Sequence, residues 1–390
     1  MRMKRSSDLM VSFNGTTIIR PIILLTISMM VMFVITGMLT ALKPEFRISS
    51  SSINQWTQQL DGESFIHILA FENPYFAQAI EDSKKEPIKL STLAFELATS
   101  INPNDPRSLL GRELPGFSLF DGEIIVAGEG TNYTNMPYES SPPMEVLLKE
   151  REASIENLEK LDKQENVSPP SLNTNGKKVV YIYATHTREA YLPQLGEGTK
   201  DDEAYHHEVN VLKVAEKLAQ ELEQQGIGSQ VEKTDFTETL QEKGMEYHQS
   251  YDASRPVVAQ AMKNNGDLKY FIDIHRDSQP REITTANINN MDYARTIFIV
   301  GGEHAKYEQN LKLATDLHNI LDEKYPGLSR GVTKKQGSGT NGKFNQDLSE
   351  NAILIEMGGV ENSMEEVYRT AEAIAEVFSE YYWQAEKVDG

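Results

Sequence analysis

No cysteine occurs among the 390 residues. That absence excludes disulfides, thiolate metal sites and a cysteine nucleophile, and it leaves His, Asp and Glu as the strong metal ligands. It also suits an extracytoplasmic protein. Aromatic residues are sparse at 8%, with two tryptophans, and the 38 basic residues are outnumbered by 58 acidic ones, for a net charge of −20. The deficit is uneven. Residues 1–42 hold four basic groups (Arg2, Lys4, Arg5, Arg20) and one acid (Asp8), so the remainder stands at −23. A body this acidic argues against nucleic-acid binding, because every phosphate contact would work against the overall field. Acidic wall polymer would be repelled as well, so binding it requires local cations or neutral contacts.

Charge is missing altogether from Pro21 to Leu42, a run of 22 residues. As a helix it would span about 33 Å, enough to cross a bilayer core. The basic flank then stays in the cytoplasm. The expectation is a single-pass cell-membrane protein with a cytoplasmic tail (1–20), a transmembrane helix (21–42) and an extracytoplasmic body. A cleaved signal peptide is the competing reading, but the apolar run is long for one and Leu39-Thr40-Ala41 is a weak cleavage site. Residues 43–135 read as a small, mainly helical domain, with Ser49–Ser52 capping its first apolar segment. His67, among Phe65, Ile66, Ile68 and Leu69, reads as a packed core residue. Proline pairs at Pro142-Pro143 and Pro169-Pro170 bracket a charged helical segment from Met144 to Leu161, so 136–175 reads as a linker.

From residue 176 onward strand-like and helix-like patterns alternate. Strands are expected at 178–184, 228–232, 269–274, 294–300 and 352–356, and helices at 209–225, 253–263, 307–325 and 361–382. Gly226 is placed to close the first helix. Such alternation predicts an α/β domain over 176–390, an open, mostly parallel sheet with helices on both faces.

Three of these strands end in ionisable groups that their apolar runs do not explain: His186, His275 and Glu356. Parallel strands present their carboxyl ends on one edge, so the three can converge. Two imidazoles and a carboxylate can hold Zn²⁺ with a position left for water. Glu356 suits a general base better than a ligand, and Arg276 could neutralise a substrate carboxylate or an oxyanion. The third ligand stays open between Glu189, three residues beyond His186, and His207, with His206 and Glu208 as further competitors. One histidine at a strand end is commonly structural, and Glu356 alone could cap a helix, but three such residues at equivalent ends weaken that account. His248, His304 and His318 read as surface or packing residues. The loop Lys334–Gly342 lacks P-loop spacing and reads as a flexible active-site loop carrying two cations.

The stretches YIYATHTREAYLP (181–193), YDASRP (251–256), YFIDIHRDS (270–278), YPGLSRG (325–331) and AILIEMGG (352–359) resemble the stage II sporulation protein P family of endospore-forming bacteria. The resemblance covers about 176–387, and an upstream anchor and small domain fit it too. It implies a zinc amidase-like fold and a zinc-dependent hydrolase that thins septal peptidoglycan during forespore engulfment. The activities implied are N-acetylmuramoyl-L-alanine amidase and cross-link endopeptidase. The implied partners are the peptidoglycan substrate and stage II sporulation proteins D and M, and the implied location is the septal space between mother cell and forespore. By motif, His186, His275 and Glu356 carry over as site residues. The broader zinc amidases place a glutamate ligand where this chain has His207 and Glu208, so the third ligand stays open. An inactive amidase-fold scaffold and a zinc carboxypeptidase trimming wall peptides are the alternatives.

Overall fold

The computed structural model of the chain describes residues 122–138, 141–154, 170, 172–337 and 340–389, all within one compact unit, Pro103–Gly390. The tail, the 21–42 segment and most of the helical domain expected over 43–135 lie outside the described residues, as does 155–169 of the linker. The cell-membrane location expected from the sequence does not carry over. No helix among the described residues is long and apolar enough to cross a membrane.

Strands β1 (Gly122–Ala127), β2 (Val180–Tyr183), β3 (Ser229–Val231), β4 (Tyr270–Asp277), β5 (Thr285–Ile288), β6 (Met291–Ala294), β7 (Thr296–Gly301), β8 (Ser329–Lys335) and β9 (Ala352–Gly359) alternate with five helices of two turns or more. These are α1 (Val211–Gln224), α2 (Phe236–Lys243), α3 (Ser250–Asn264), α4 (Tyr307–Lys324) and α5 (Met364–Asp389). Seven strands form one mixed, mostly parallel sheet in the order β1-β8-β7-β9-β4-β2-β3, and β5 and β6 form a separate hairpin. The α/β architecture is therefore as the sequence predicts, although β8 is not among the expected strands, and two further differences concern direction and extent.

The first difference is β7, which runs antiparallel to β9. A parallel neighbour needs a crossover, and the chain after β4 makes a hairpin instead. Asn289 and Asn290 both have positive φ (52° and 63°), the geometry of a two-residue hairpin turn. The chain thus re-enters the sheet from the edge that β4 has just left. The second difference is β1, which adds antiparallel to β8, from Gly122↔Lys335 to Ala127↔Gly331. Residues 122–127 thus extend this sheet, although they lie in the stretch expected to be helical. Among the described residues of the expected linker, the helix observed is the single turn Met144–Leu148.

Strand alternation divides the core between two faces. Val180, Ile182, Ile272, Ile274, Phe298, Ile353 and Ile355 pack with α1, α4 and α5 through Leu218, Leu222, Leu317, Val367, Ile374 and Phe378. On the opposite face, Tyr181, Tyr183 and Phe271 meet Val258 of α3. The α1 helix shows why its sequence forms it. Val211, Val214, Ala215, Leu218 and Leu222 recur at helical spacing and are all buried, giving one apolar stripe. Asn210 caps the start by accepting from Leu212 N, and Gly226 follows the end at φ 83°.

In β8 an extra residue interrupts the pairing with β7 between Thr296↔Ser329 and Phe298↔Val332. Gly331 sits in this bulge at φ 108°, and a Cβ there would lie 2.0 Å from Val126 O. The bulge accompanies burial of Arg330, whose guanidinium pairs with Asp277 Oδ2 at 2.5 Å and donates to Asn135 O at 2.5 Å. Breaking such a buried pair typically costs about 3–5 kcal/mol. Gly331→Ala should destabilise the protein by about 2 kcal/mol or more, read as a lower midpoint in denaturant unfolding, because β1 cannot keep its ladder against the added carbon.

Candidate metal centre

The centre forms where β2, β4 and β9 present their carboxyl ends side by side. β2 pairs in parallel with β4 as far as Tyr183↔Asp273, and β4 pairs in parallel with β9 through His275↔Glu356. His186 follows β2 and opens a tight turn closed by Glu189 N donating to His186 O at 3.1 Å. A turn of that kind sets residues i and i+3 side by side. Glu189 Oε1 accordingly lies 3.5 Å from His186 Nδ1, and Glu189 Oε2 lies 3.6 Å from His275 Nδ1. Arg188 anchors the turn from outside through a two-pronged contact with Asp235 at 2.8 and 2.7 Å.

His186, Glu189 and His275 each offer a ligand atom within 4.8 Å of the other two, and all three are buried. Ligand atoms about 2.0–2.1 Å from a tetrahedral ion lie about 3.4 Å apart. The two Glu189–imidazole spacings come close to that and the whole group lies within 4.8 Å, so the residues present can hold a metal ion. Glu356 stands on the neighbouring strand. It is buried, and its Oε2 has no hydrogen-bond partner among the described residues.

Charge at the centre is strongly coupled. Burial pushes Glu189 up, but the hydrogen bond from His186 and the charges of His275, His186 and Arg276 outweigh it and hold the carboxyl below its ordinary range. Burial works against a charged His275 ring, yet Asp273 by charge and hydrogen bond, together with Glu189, lifts it to about 9. A cation therefore displaces a proton when His275 takes it up. Burial pushes Glu356 up to about 8, with Asp277 and Glu189 adding to the shift and His275 opposing it.

The remaining sequence candidates take other places. His206 is consumed structurally. Its Nδ1 accepts from the N–H groups of Glu208 and Val209 at 3.1 and 2.9 Å, and its Nε2 meets Arg151 O at 2.9 Å. His207 and Glu208 sit beside each other at 3.6 Å with side chains 48% and 59% exposed, outside the buried group. Arg276 is buried and donates to the carbonyls of Asp277 and Ala204, while its backbone N–H donates to Glu189 Oε2 at 2.9 Å. It supports the ligand and the loop around Ala204. The two cations of the Lys334–Gly342 loop divide. β8 runs opposite to β4 and β9, and Lys334 pairs with Glu123 at 2.7 Å, whereas the charge of Lys335 reaches Glu356 and opposes the rise that burial causes there. His248 lies in the single turn Tyr247–Gln249, and His318 packs against Ser329 at 2.7 Å.

Sequence reasoning missed several contributors. Tyr247 stacks on His186 with ring centroids 4.4 Å apart, and Tyr251 Oη lies 3.2 Å from His275 Nε2. Asp277 Oδ1 accepts from Gln279 N at 3.0 Å and its Oδ2 binds Arg330. Asp273, whose Oδ1 lies 3.2 Å from His275 Nε2, was missed too, although its signal was present: a charged residue interrupts the apolar run Tyr270–Ile274 two positions before His275, hence on the same face of the strand.

Two outcomes follow from this arrangement. Glu189→Ala should weaken metal binding more than about 100-fold, whereas His207→Ala should leave it unchanged, both measured as metal content after dialysis against a chelator. In the metal-free chain, Glu356 has a folded value above its ordinary 4.5, so its stabilising neutral form is fully present below about pH 4.5 and is lost as pH rises through about 8. Metal-free Glu356→Gln should therefore exceed the wild type in stability at pH 8, by on the order of 1–4 kcal/mol, with the gap closing toward pH 5 in parallel denaturant titrations.

Comparison with known proteins places this centre in context. The family model described as stage II sporulation protein P matches residues 104–379. Stage II sporulation protein P of Bacillus subtilis (strain 168) is 48% identical over 389 residues, covering 99% of this chain and 97% of that protein. Among solved structures, the CwlD amidase from Clostridioides difficile in complex with the GerS lipoprotein is 15% identical. That likeness covers 54% of this chain and 100% of that one at a TM-score of 0.36. A metallo-carboxypeptidase from Burkholderia cenocepacia is 14% identical, covering 54% of this chain and 58% of that one at a TM-score of 0.28. On the family match and the near full-length identity, the chain belongs to the stage II sporulation protein P family.

Proposed function

We propose that this chain is a zinc-dependent peptidoglycan hydrolase of sporulation, cutting the amide between N-acetylmuramic acid and L-alanine and also peptide cross-links during engulfment. The observation that carries the reading is the buried His186–Glu189–His275 group with Glu356 beside it on the adjacent strand. Two imidazoles and a carboxylate match the ligand preference of Zn²⁺, and three protein ligands leave one position open. Zinc held there supplies Lewis acidity, polarising a carbonyl and lowering the pKa of water toward about 7.

The remaining work falls to the chain. Glu356 takes the proton of the attacking water at its carboxylate and returns it to the leaving amine, which is general base and then general acid catalysis. Its raised affinity for a proton suits that alternation, since a group that titrates near the working pH can both accept and donate. Glu189 holds two imidazoles in place while its own Oε2 is fixed by Arg276 N. Tyr247, stacked on His186, limits rotation of that ring. Stage II sporulation proteins D and M belong to the proposal as partners, the first a glycan-cleaving enzyme and activator, the second a membrane protein.

Incubation of the full chain and zinc with purified peptidoglycan should release stem peptides, identified by mass, and Glu356→Gln should lower the rate by about 10²–10⁴-fold while zinc content stays unchanged. Absence of any peptide release by the wild type, with the glycan-cleaving partner added, would remove the hydrolase reading. Products shortened only at their free ends would instead indicate a carboxypeptidase.

A further inference from the structure

We infer that Asp273 is a positioning residue of the metal centre, fixing which ring nitrogen of His275 faces the metal and tying down the strand end that bears His186. The inference rests on the metal-binding reading of His186, Glu189 and His275. Asp273 is 1% exposed in the middle of β4. Among the described residues no Lys or Arg pairs with it, and burial of a carboxylate without compensation is costly. Its compensation comes from the two segments that carry the histidine ligands.

Backbone pairing between β2 and β4 stops at Tyr183↔Asp273. Beyond that point the Asp273 side chain replaces the ladder. Its Oδ1 accepts from Thr185 N at 2.9 Å and its Oδ2 accepts from Thr185 Oγ1 at 2.8 Å. Thr185 directly precedes His186, so two bonds to one carboxylate fix the backbone from which that ligand departs. The same Oδ1 lies 3.2 Å from His275 Nε2, on the side of the ring away from Nδ1 and Glu189.

The ring has two possible partners at Nε2, and only one of them demands a particular tautomer, because a tyrosine hydroxyl can donate or accept. Tyr251 Oη, 3.2 Å away, can donate to Nε2, which would leave the ring proton on Nδ1 and turn an N–H toward Glu189. Asp273 as a carboxylate can only accept. It therefore requires N–H at Nε2 and leaves the Nδ1 lone pair for a cation. Carboxylate–histidine–metal relays of this kind set ring orientation and ligand basicity. The donors around Asp273 are themselves oriented. The Asn345 amide donates to Ser254 Oγ at 2.9 Å, and Ser254 Oγ lies 3.1 Å from Thr185 Oγ1. An amide N–H at the far end lets each hydroxyl pass its own proton onward, Ser254 to Thr185 and Thr185 to Asp273. Asn345 holds its place with φ 57°, next to Phe344 at φ 52°.

The test uses the full chain with ¹⁵N-labelled histidine, loaded with zinc, and long-range ¹H–¹⁵N spectra of the rings. In the wild type, His275 should carry its proton on Nε2 and bind metal through Nδ1. Asp273→Asn can present an amide N–H to Nε2 and so favours the wrong tautomer. It should bind zinc about 10–100-fold more weakly in competition with a chromophoric chelator, and Asp273→Glu should recover part of that loss. A wild-type His275 bound to zinc through Nε2, or Asp273→Asn holding zinc as tightly as the wild type, overturns the inference. The wild-type spectrum decides even if the variants do not fold. A wild type that takes up no zinc removes the metal reading itself, and this inference with it; zinc uptake with an unaffected Asp273→Asn removes this inference alone.

Discussion

The parallel pairing of β4 with β9 is the constraint on which the centre depends. Its register sets His275 beside Glu356, so an imidazole ligand and an acid of a different chemical duty become neighbours across two strands some eighty residues apart in the chain. Neither needs a loop to reach the other, and a site built on paired strands is held more closely than one built on mobile segments. The ladder from β2 to β4 then supplies the third party. It ends just short of His186, and side-chain bonds from Asp273 take over where backbone bonds stop.

Charge is managed by division of labour between four acids near one another. Glu189 is kept ionised by the two imidazoles and Arg276, Asp277 is paired with a buried arginine, and Asp273 is met by hydroxyl, amide and imidazole donors. Glu356 alone has an oxygen with no donor, and burial lifts its proton affinity. Carboxylates whose surroundings push their affinities apart are the usual mark of an acid–base assignment. The acidity of the chain as a whole says nothing of this, because the site is set by individual partners.

Much of the catalytic sheet was legible in the sequence because its signals are local. Apolar strands interrupted at the end by His186, His275 or Glu356 stand out in a linear reading, as does the α1 stripe with its glycine stop. Glu189 could be favoured from spacing but not settled against His207, since the choice depends on a turn that returns Glu189 between two imidazoles while the cap of α1 turns His207 outward. Non-local pairing was the blind spot. β8 is broken by Gly331 and adjacent to lysines that resemble a loop, and β1 is recognisable only by the partner it finds. The reversal of β7 follows from Asn289 and Asn290, whose left-handed backbone was not inferred. Arg276 was read for its charge, whereas its backbone N–H proved the more informative group.

The position of β1 bears on where the catalytic unit begins. A fragment started at Gly176, where composition changes, would leave β8 as a bare outer strand with its N–H and C=O groups unpaired, a ready template for self-association. The same cut would remove Asn135 and Met136, whose carbonyls receive Arg330 and Gln279, and so loosen the residues flanking Asp277. The upstream segment is thus a guard against aggregation as well as a brace for the site's rim, and the smallest self-sufficient unit starts no later than Gly122.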